Sequence, residues 1–197
     1  VHVVKIGGSL LKYSKPILEL LGDRDVIIVP GGGVFADTIR NIYEEYSLSD
    51  LAAHKMAILA MDQYGLYLSD ISGIPFSRKL DTETPFIFLP SQLLEEEDPF
   101  EPSWDITSDT IACYIARLVG AERFIILTDV DGVFIDGKRV DKISAEELLK
   151  YGETCIDKAL PHYLIEYSID CLVVNGKKHE QIKKALQGLQ VGTLIVH

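Results

Sequence analysis

Val3-Val4-Lys5-Ile6-Gly7-Gly8-Ser9-Leu10-Leu11 decides the fold. Val3, Val4 and Ile6 are apolar and β-branched, the composition of a buried strand. Gly7-Gly8-Ser9 stops that strand, and Leu10 opens a different segment. Adjacent glycines at a strand end remove the Cβ atoms that keep backbone N–H groups off a ligand. Several N–H groups can then converge on an anion, the more so where a helix begins just beyond. Lys5 lies inside the apolar run, where a cation is costly unless it emerges at an end or meets an opposite charge. The stretch reads either as a phosphate-holding turn or as an ordinary strand-to-helix turn whose lysine reaches out to water.

Outward from this stretch, strands and helices alternate. Residues 16–21 read as a short helix closed by Gly22, and 25–29 as a strand ended by Pro30-Gly31-Gly32-Gly33. Helices follow over 34–46 and 49–64, a strand over 84–89, and a short helix over 91–97 with an acidic exposed end. Residues 98–103, with Pro99 and Pro102, read as a linker between halves. Thr107 and Ser108 are candidate caps for a helix running to about Val119 and stopping at Gly120. Residues 124–127 form a strand, Asp136-Gly137 a tight hairpin turn, and Ser144 with Glu147 a capping box for a helix to Lys150. Helices over 159–167 and 179–186 flank a strand over 171–174, and 193–196 is a terminal strand.

Such alternation predicts an α/β fold: an open, mostly parallel sheet covered by helices on both faces. Ligands in such sheets lie outside the carboxyl ends of the strands. The positions to interrogate are therefore 5–9, 31–33, 128–132 and Asn175-Gly176.

The chain has 197 residues, enough for one domain with a substantial core. Lysine and arginine number 19 against 30 acidic residues, a net charge of −11. That argues against a nucleic acid as partner, which needs clustered cations, and leaves room for a small phosphorylated ligand. No apolar run approaches a membrane span and no signal peptide is visible, although the absent initiator methionine leaves a trimmed leader open. Cys113, Cys155 and Cys171 are odd in number and in no metal-ligand spacing, so they read as reduced core thiols of a cytoplasmic protein, with no metal site.

Two motif matches fail on context. Gly31-x-Gly33-x-x-Ala36 follows a strand and opens a helix, but a dinucleotide site also wants an acidic residue ending the next strand. Asp50, at the right distance, starts a helix instead. Gly132 to Lys138 matches most of a phosphate-binding P-loop, yet Arg139 stands where a magnesium-binding hydroxyl belongs. Residues 133–135 look extended, like one arm of a hairpin.

No Ser/His/Asp or Cys/His spacing stands out. What recurs is glycine loops with isolated charges at element ends, which is what phosphoryl transfer needs, since its catalysis is alignment plus charge neutralisation. Lys5-Ile6-Gly7-Gly8-Ser9, Pro30-Gly31-Gly32-Gly33, Ser108-Asp109, Thr128-Asp129-Val130-Asp131-Gly132-Val133, Lys158 and Val191-Gly192-Thr193 stand in an order that resembles the amino acid kinase superfamily.

The resemblance implies an αβα sandwich forming a single domain over 1–197, with the acceptor bound by about 1–103 and ATP with Mg2+ by about 104–197. It implies that Lys5 and Lys158 flank the transferring phosphoryl group and that Asp109 holds both. Gly7, Gly8 and Ser9 would contact the β- and γ-phosphates. Gly31, Gly32 and Gly33, with Thr107 and Ser108, would approach the acceptor, a small phosphorylated substrate. Thr128, Asp129, Asp131, Gly132 and Val133 would line the nucleotide pocket. Symmetric dimers or hexamers are implied as well, with helices 34–46 and 49–64 as interface material.

The chain departs from the family ahead of Lys158, where Thr154-Cys155-Ile156-Asp157 replaces the usual glycines. Asp37 stands where isopentenyl phosphate kinases carry a histidine that meets the acceptor phosphate. A carboxylate there repels a phosphate but suits an ammonium group. The Gly-Gly-Gly-Val-Phe-Ala-Asp run, Trp104-Asp105-Ile106-Thr107-Ser108-Asp109 and the helix around 54–65 resemble one branch, the archaeal-type kinases of methanofuran biosynthesis. Those convert the phosphate of an aminomethylfuran methyl phosphate to a diphosphate with ATP. Trp104 itself reads as an ordinary core or lid aromatic.

Overall fold

A computed structural model describes residues 1–103, 105–152 and 154–197; the reading of Trp104 lies outside the described residues. The chain opens with β1 (His2–Ile6), a 3-10 turn over Gly8–Tyr13, α1 (Ser14–Leu21) and β2 (Val26–Pro30). Helices α2 (Gly33–Tyr46) and α3 (Asp50–Ser72), strands β3 (Phe76–Ser77) and β4 (Phe86–Phe88), and α4 (Ser91–Glu97) complete the first part. Then come α5 (Ser108–Leu118), β5 (Arg123–Thr128), β6 (Phe134–Ile135), β7 (Lys138–Arg139), β8 (Lys142–Ser144) and α6 (Ala145–Leu148). The chain closes with α7 (Leu160–Tyr167), β9 (Cys171–Asn175), α8 (His179–Leu186) and β10 (Thr193–Val196).

Eight strands form one sheet in the order β3-β4-β2-β1-β5-β9-β10-β8, and β6 with β7 forms a separate hairpin. Pairing is parallel throughout the large sheet except between β9 and β10. β1 is the pivot: it pairs with β2 on one side (Lys5 opposite Val29) and β5 on the other (Lys5 opposite Ile126). The chain thus leaves β1 toward one edge and later returns to build toward the other, which opens a crevice at the carboxyl end of β1.

The alternation of side chains along β1 assigns its faces. Val3 packs in one core with Ile111 and Ile115 of α5 and with Leu160 and Leu164 of α7. Val4 and Ile6 pack in the opposite core with Ile17 and Leu21 of α1 and Ile182 of α8. Parity puts Lys5 on the Val3 side, beneath α5. α3 runs eight residues past the expected end because Leu68 and Ile71 continue its apolar side, and it stops at Gly73 in the left-handed conformation. Gly65 sits within it because a Cβ there would come within 2.4 Å of the Leu89 side chain. The Asp136-Gly137 turn has both residues at positive φ, as a two-residue hairpin demands. Ser144 accepts the Glu147 N–H at 3.0 Å and caps α6 as the capping box predicts. The short strands β3 and β8 are additions that the sequence pattern does not announce.

Candidate active site

The carboxyl ends of the central strands are tied by backbone bonds that hold their loops at one level. Gly7 N donates to Leu127 O at 2.9 Å, Gly31 N to Ile6 O at 2.9 Å, and Gly176 N to Thr128 O at 2.8 Å. The two glycine loops touch. A Cβ on Gly8 would lie 2.3 Å from Gly33 Cα, and one on Gly31 would lie 2.9 Å from Gly8 N. Gly33, at φ +55, opens α2 in a conformation that side chains disfavour. Only glycines allow these loops to approach so closely, and their bare backbone forms the floor of the crevice.

Lys5 emerges under α5 and meets Asp109 in that helix's first turn: Nζ to Oδ1 is 2.7 Å, with the side chains 10% and 6% exposed. A carboxylate at this place also gains from the positive end of the helix. Asp109 Oδ2 accepts the backbone N–H of Asp157 at 3.1 Å. Lys158 does not join this pair. Its side chain is 56% exposed and its ammonium lies 3.9 Å from Asp105.

Beside the pair is a cavity of about 610 Å³. Of the expected site residues, Gly8, Ser9, Gly32, Gly33, Asp37, Thr107 and Ser108 line it. Lys12, Arg40 and His54 on its wall are not singled out by the sequence, although Lys12 stands just three positions beyond Ser9, and Asp50, set aside as a dinucleotide ligand, lines it too. Asp37 lies 3.8 Å from Arg40, so the wall carries both signs. Burial holds the His54 imidazole below its ordinary value against the Ser103 backbone and Asp98, which push it up.

Across the pivot strand, Thr128 ends β5 nearly buried. Asp129 lies 3.8 Å from the Lys177 ammonium and Asp131 lies 2.6 Å from that of Lys178. Asp131 also accepts from Asn175 Nδ2 at 2.8 Å, and the Lys178 and Asn175 bonds hold its carboxyl below the usual range. Gly132, at φ +136, lies so close to Thr193 that a Cβ would come within 2.5 Å of Oγ1. Thr193 Oγ1 accepts Val133 N at 2.9 Å, and the Val133 side chain is fully buried in the core. Only the backbone of Val133 is therefore placed to meet a ligand. The Val191-Gly192-Thr193 motif acts here as a clamp on the 132–133 turn.

Residues 86–175 match the model of the Amino acid kinase family. A curated relative, the [5-(aminomethyl)furan-3-yl]methyl phosphate kinase of Methanocaldococcus jannaschii, is 36% identical over 203 residues, which cover 95% of this chain and 93% of that protein. The chain belongs to the amino acid kinase family. It is a phosphotransferase of the kinase type. The uridylate kinase of Archaeoglobus fulgidus is 28% identical over 98% of both chains. In fold, the chain is similar to the crystal structure of uridylate kinase from Archaeoglobus fulgidus (TM-score 0.72, 21% identity, 100% of both chains covered). It is likewise similar to UMP kinase from Bacillus anthracis (TM-score 0.75, 18% identity, 98% and 94% covered). Among the described residues no helix is long and apolar enough to cross a membrane.

Proposed function

We propose that the chain transfers the γ-phosphoryl group of ATP to the phosphate of [5-(aminomethyl)furan-3-yl]methyl phosphate, giving the diphosphate and ADP. The observation that carries the transfer is the buried Lys5–Asp109 pair, 2.7 Å long, at the pivot of the sheet beside two touching glycine loops, and the choice of acceptor is supported by the 36% identity to the Methanocaldococcus jannaschii kinase. A Cβ on Gly7 would press on Leu127 O at 2.9 Å and one on Gly8 on Gly33 Cα at 2.3 Å, so bare glycines are what let these loops close up beside Lys5 and offer backbone N–H groups to phosphate oxygens. The acceptor phosphate is already anionic, so its oxygen attacks the γ-phosphorus without a general base. The bond from the β,γ-bridging oxygen to that phosphorus breaks as the new one forms. Lys5 neutralises charge on the transferring oxygens and Asp109 holds Lys5 in place.

Mg2+ would arrive on the donor phosphates, the usual mode for this ion. Among the described residues no group of three His, Cys, Asp or Glu side chains is arranged to hold a metal. Thr128, Asp129, Asp131 and Gly132 face the nucleotide in this scheme. Lys158 would serve as the second phosphate lysine only after leaving Asp105. The acceptor carries a phosphate and an ammonium group, and the cavity wall offers Lys12 and Arg40 for the first and Asp37 for the second. The proposal extends to a cytoplasmic homo-oligomer, with exposed Leu51 and Leu59 of α3 as contact surface.

The test is a panel of acceptors assayed for ADP release, with wild type and Asp37→Asn side by side. The aminomethyl phosphate is expected to be turned over in preference to uridylate and isopentenyl phosphate. Asp37→Asn should raise its KM about tenfold, a loss near 1.4 kcal/mol of uniform binding, and leave an analogue without the amine unchanged. Preference for uridylate, or equal use of the deaminated analogue by wild type, would overturn the assignment of the acceptor.

A further inference from the structure

We infer that Asp157 is a positioning residue for phosphoryl transfer: its carboxylate ties the first turns of α5 and α7 together, so that its own backbone N–H holds Asp109, and through it Lys5, in the geometry the reaction uses. The inference rests on the roles proposed above for Lys5 and Asp109.

Both oxygens of Asp157 are fully engaged. Oδ2 accepts from Thr107 N at 3.0 Å, Thr107 Oγ1 at 2.9 Å and Thr110 N at 3.0 Å. Oδ1 accepts from Thr110 Oγ1 at 2.7 Å and from Leu160 N at 2.7 Å. Thr107 occupies the N-cap of α5 yet makes no capping bond with its own side chain. The cap N–H of Thr107 and the first-turn N–H of Thr110 are instead satisfied by a carboxylate from some fifty positions along the chain. The same group serves Leu160, the first residue of α7. The start of α5 carries Thr107 and Ser108 on the cavity wall and Asp109 against Lys5. Its placement therefore depends on a residue outside the helix.

The five accepted bonds hold the carboxylate in place against two opposing effects. Burial raises the Asp157 carboxyl above its ordinary value, and the adjacent charge of Asp109 raises it further. Two carboxylates are kept side by side where a neutral cap would avoid the repulsion. What the second carboxylate adds is a fixed loop whose N–H points at Asp109 Oδ2, 3.1 Å away.

The experiment compares Asp157→Asn, Asp157→Ala, Thr110→Val and Thr110→Ser with Lys5→Met and Asp109→Asn. For each, kcat, KM for ATP and for the acceptor, and Tm are measured, with kcat expressed per folded enzyme. Asp157→Asn turns an amide NH2 toward donors that need an acceptor, and is expected to lower kcat about ten- to a hundredfold with both KM values within about threefold. Thr110→Val should lower kcat by about threefold or more, and Thr110→Ser, which keeps the hydroxyl, should restore it. If both Asp157 variants keep full kcat per folded enzyme while Lys5→Met and Asp109→Asn lose it, the inference falls and the proposed mechanism stands. If Lys5→Met and Asp109→Asn keep kcat, the mechanism falls and takes the inference with it. Should the Asp157 variants not fold, the threonine pair decides: unchanged kcat in Thr110→Val overturns the inference, and a loss that serine restores supports it.

Discussion

Replacing both members of the Lys5–Asp109 pair should separate stability from catalysis. At 2.7 Å the two unit charges attract by about 6 kcal/mol at an effective dielectric of 20. Their side chains are about nine-tenths removed from water, so desolvation costs several kcal/mol per ion and offsets most of that gain. The pair is therefore close to neutral in stability, whereas either charge alone is strongly unfavourable. Lys5→Met and Asp109→Leu are each expected to lose about 3–5 kcal/mol, because each leaves an uncompensated buried charge. That is a fall in Tm on the order of 10 °C for a chain of this size. The double variant should recover most of it. Activity should follow another pattern: kcat falls roughly a hundred- to a thousandfold in the Lys5 variant and is not recovered in the double variant. Urea unfolding and a coupled ADP assay on the four proteins measure both. A double variant as unstable as the singles combined would show no coupling between the two charges and refute the stranded-charge reasoning, and normal kcat in Lys5→Met would remove Lys5 from the mechanism.

Gly8→Ala should cost about 1–3 kcal/mol and abolish turnover, since its Cβ would lie 2.3 Å from Gly33 Cα and neither backbone has a flexible end to yield. Thermal scans and binding of a nucleotide analogue check it, and near-normal binding would refute the cradle. His54 gives a pH signature. Its folded value lies below the ordinary 6.5, so the unfolded chain takes up the proton first as pH falls. The folded state therefore loses stability downward from about 6.5, and His54→Gln should flatten the Tm decline between about pH 7.5 and 5.5. An unchanged slope would mean that the imidazole is not shielded from water.

The sheet and most of its helices are legible in the sequence because period-2 and helical patterns are local properties. Even the face of Lys5 follows from its parity with Val3. α3 is misjudged for a local reason as well: Gly65 looks like a stop and is in fact the place where Leu89 packs against the helix. Strands β3 and β8 are too short to show a period. The floor of the site, with its glycines, is likewise written in the chain. Its walls are not. Arg40 and His54 reach the cavity only because α2 and α3 pack side by side, and Asp157 finds its partners across 47 and 50 positions. Lys158 shows the remaining gap, for a lysine in the expected order points at Asp105 rather than at the pair.

If an acidic chain is to receive a polyphosphate, as proposed, it has to keep its cations from being neutralised permanently. Around the crevice each of three lysines already has a carboxylate: Lys5 with Asp109, Lys177 with Asp129 and Lys178 with Asp131. The partnerships differ in depth. Lys177 and Lys178 are 36% and 49% exposed, where an ion pair is worth little and exchanges readily for a phosphate oxygen. Lys5 cannot exchange in this way, because leaving Asp109 would strand a buried charge. A phosphate therefore has to be added to the Lys5–Asp109 pair, not substituted into it. In the proposed scheme the ammonium binds anionic oxygens on one side while the carboxylate fixes it from the other, with a rigid cation at the sheet's pivot and adaptable ones at its margin.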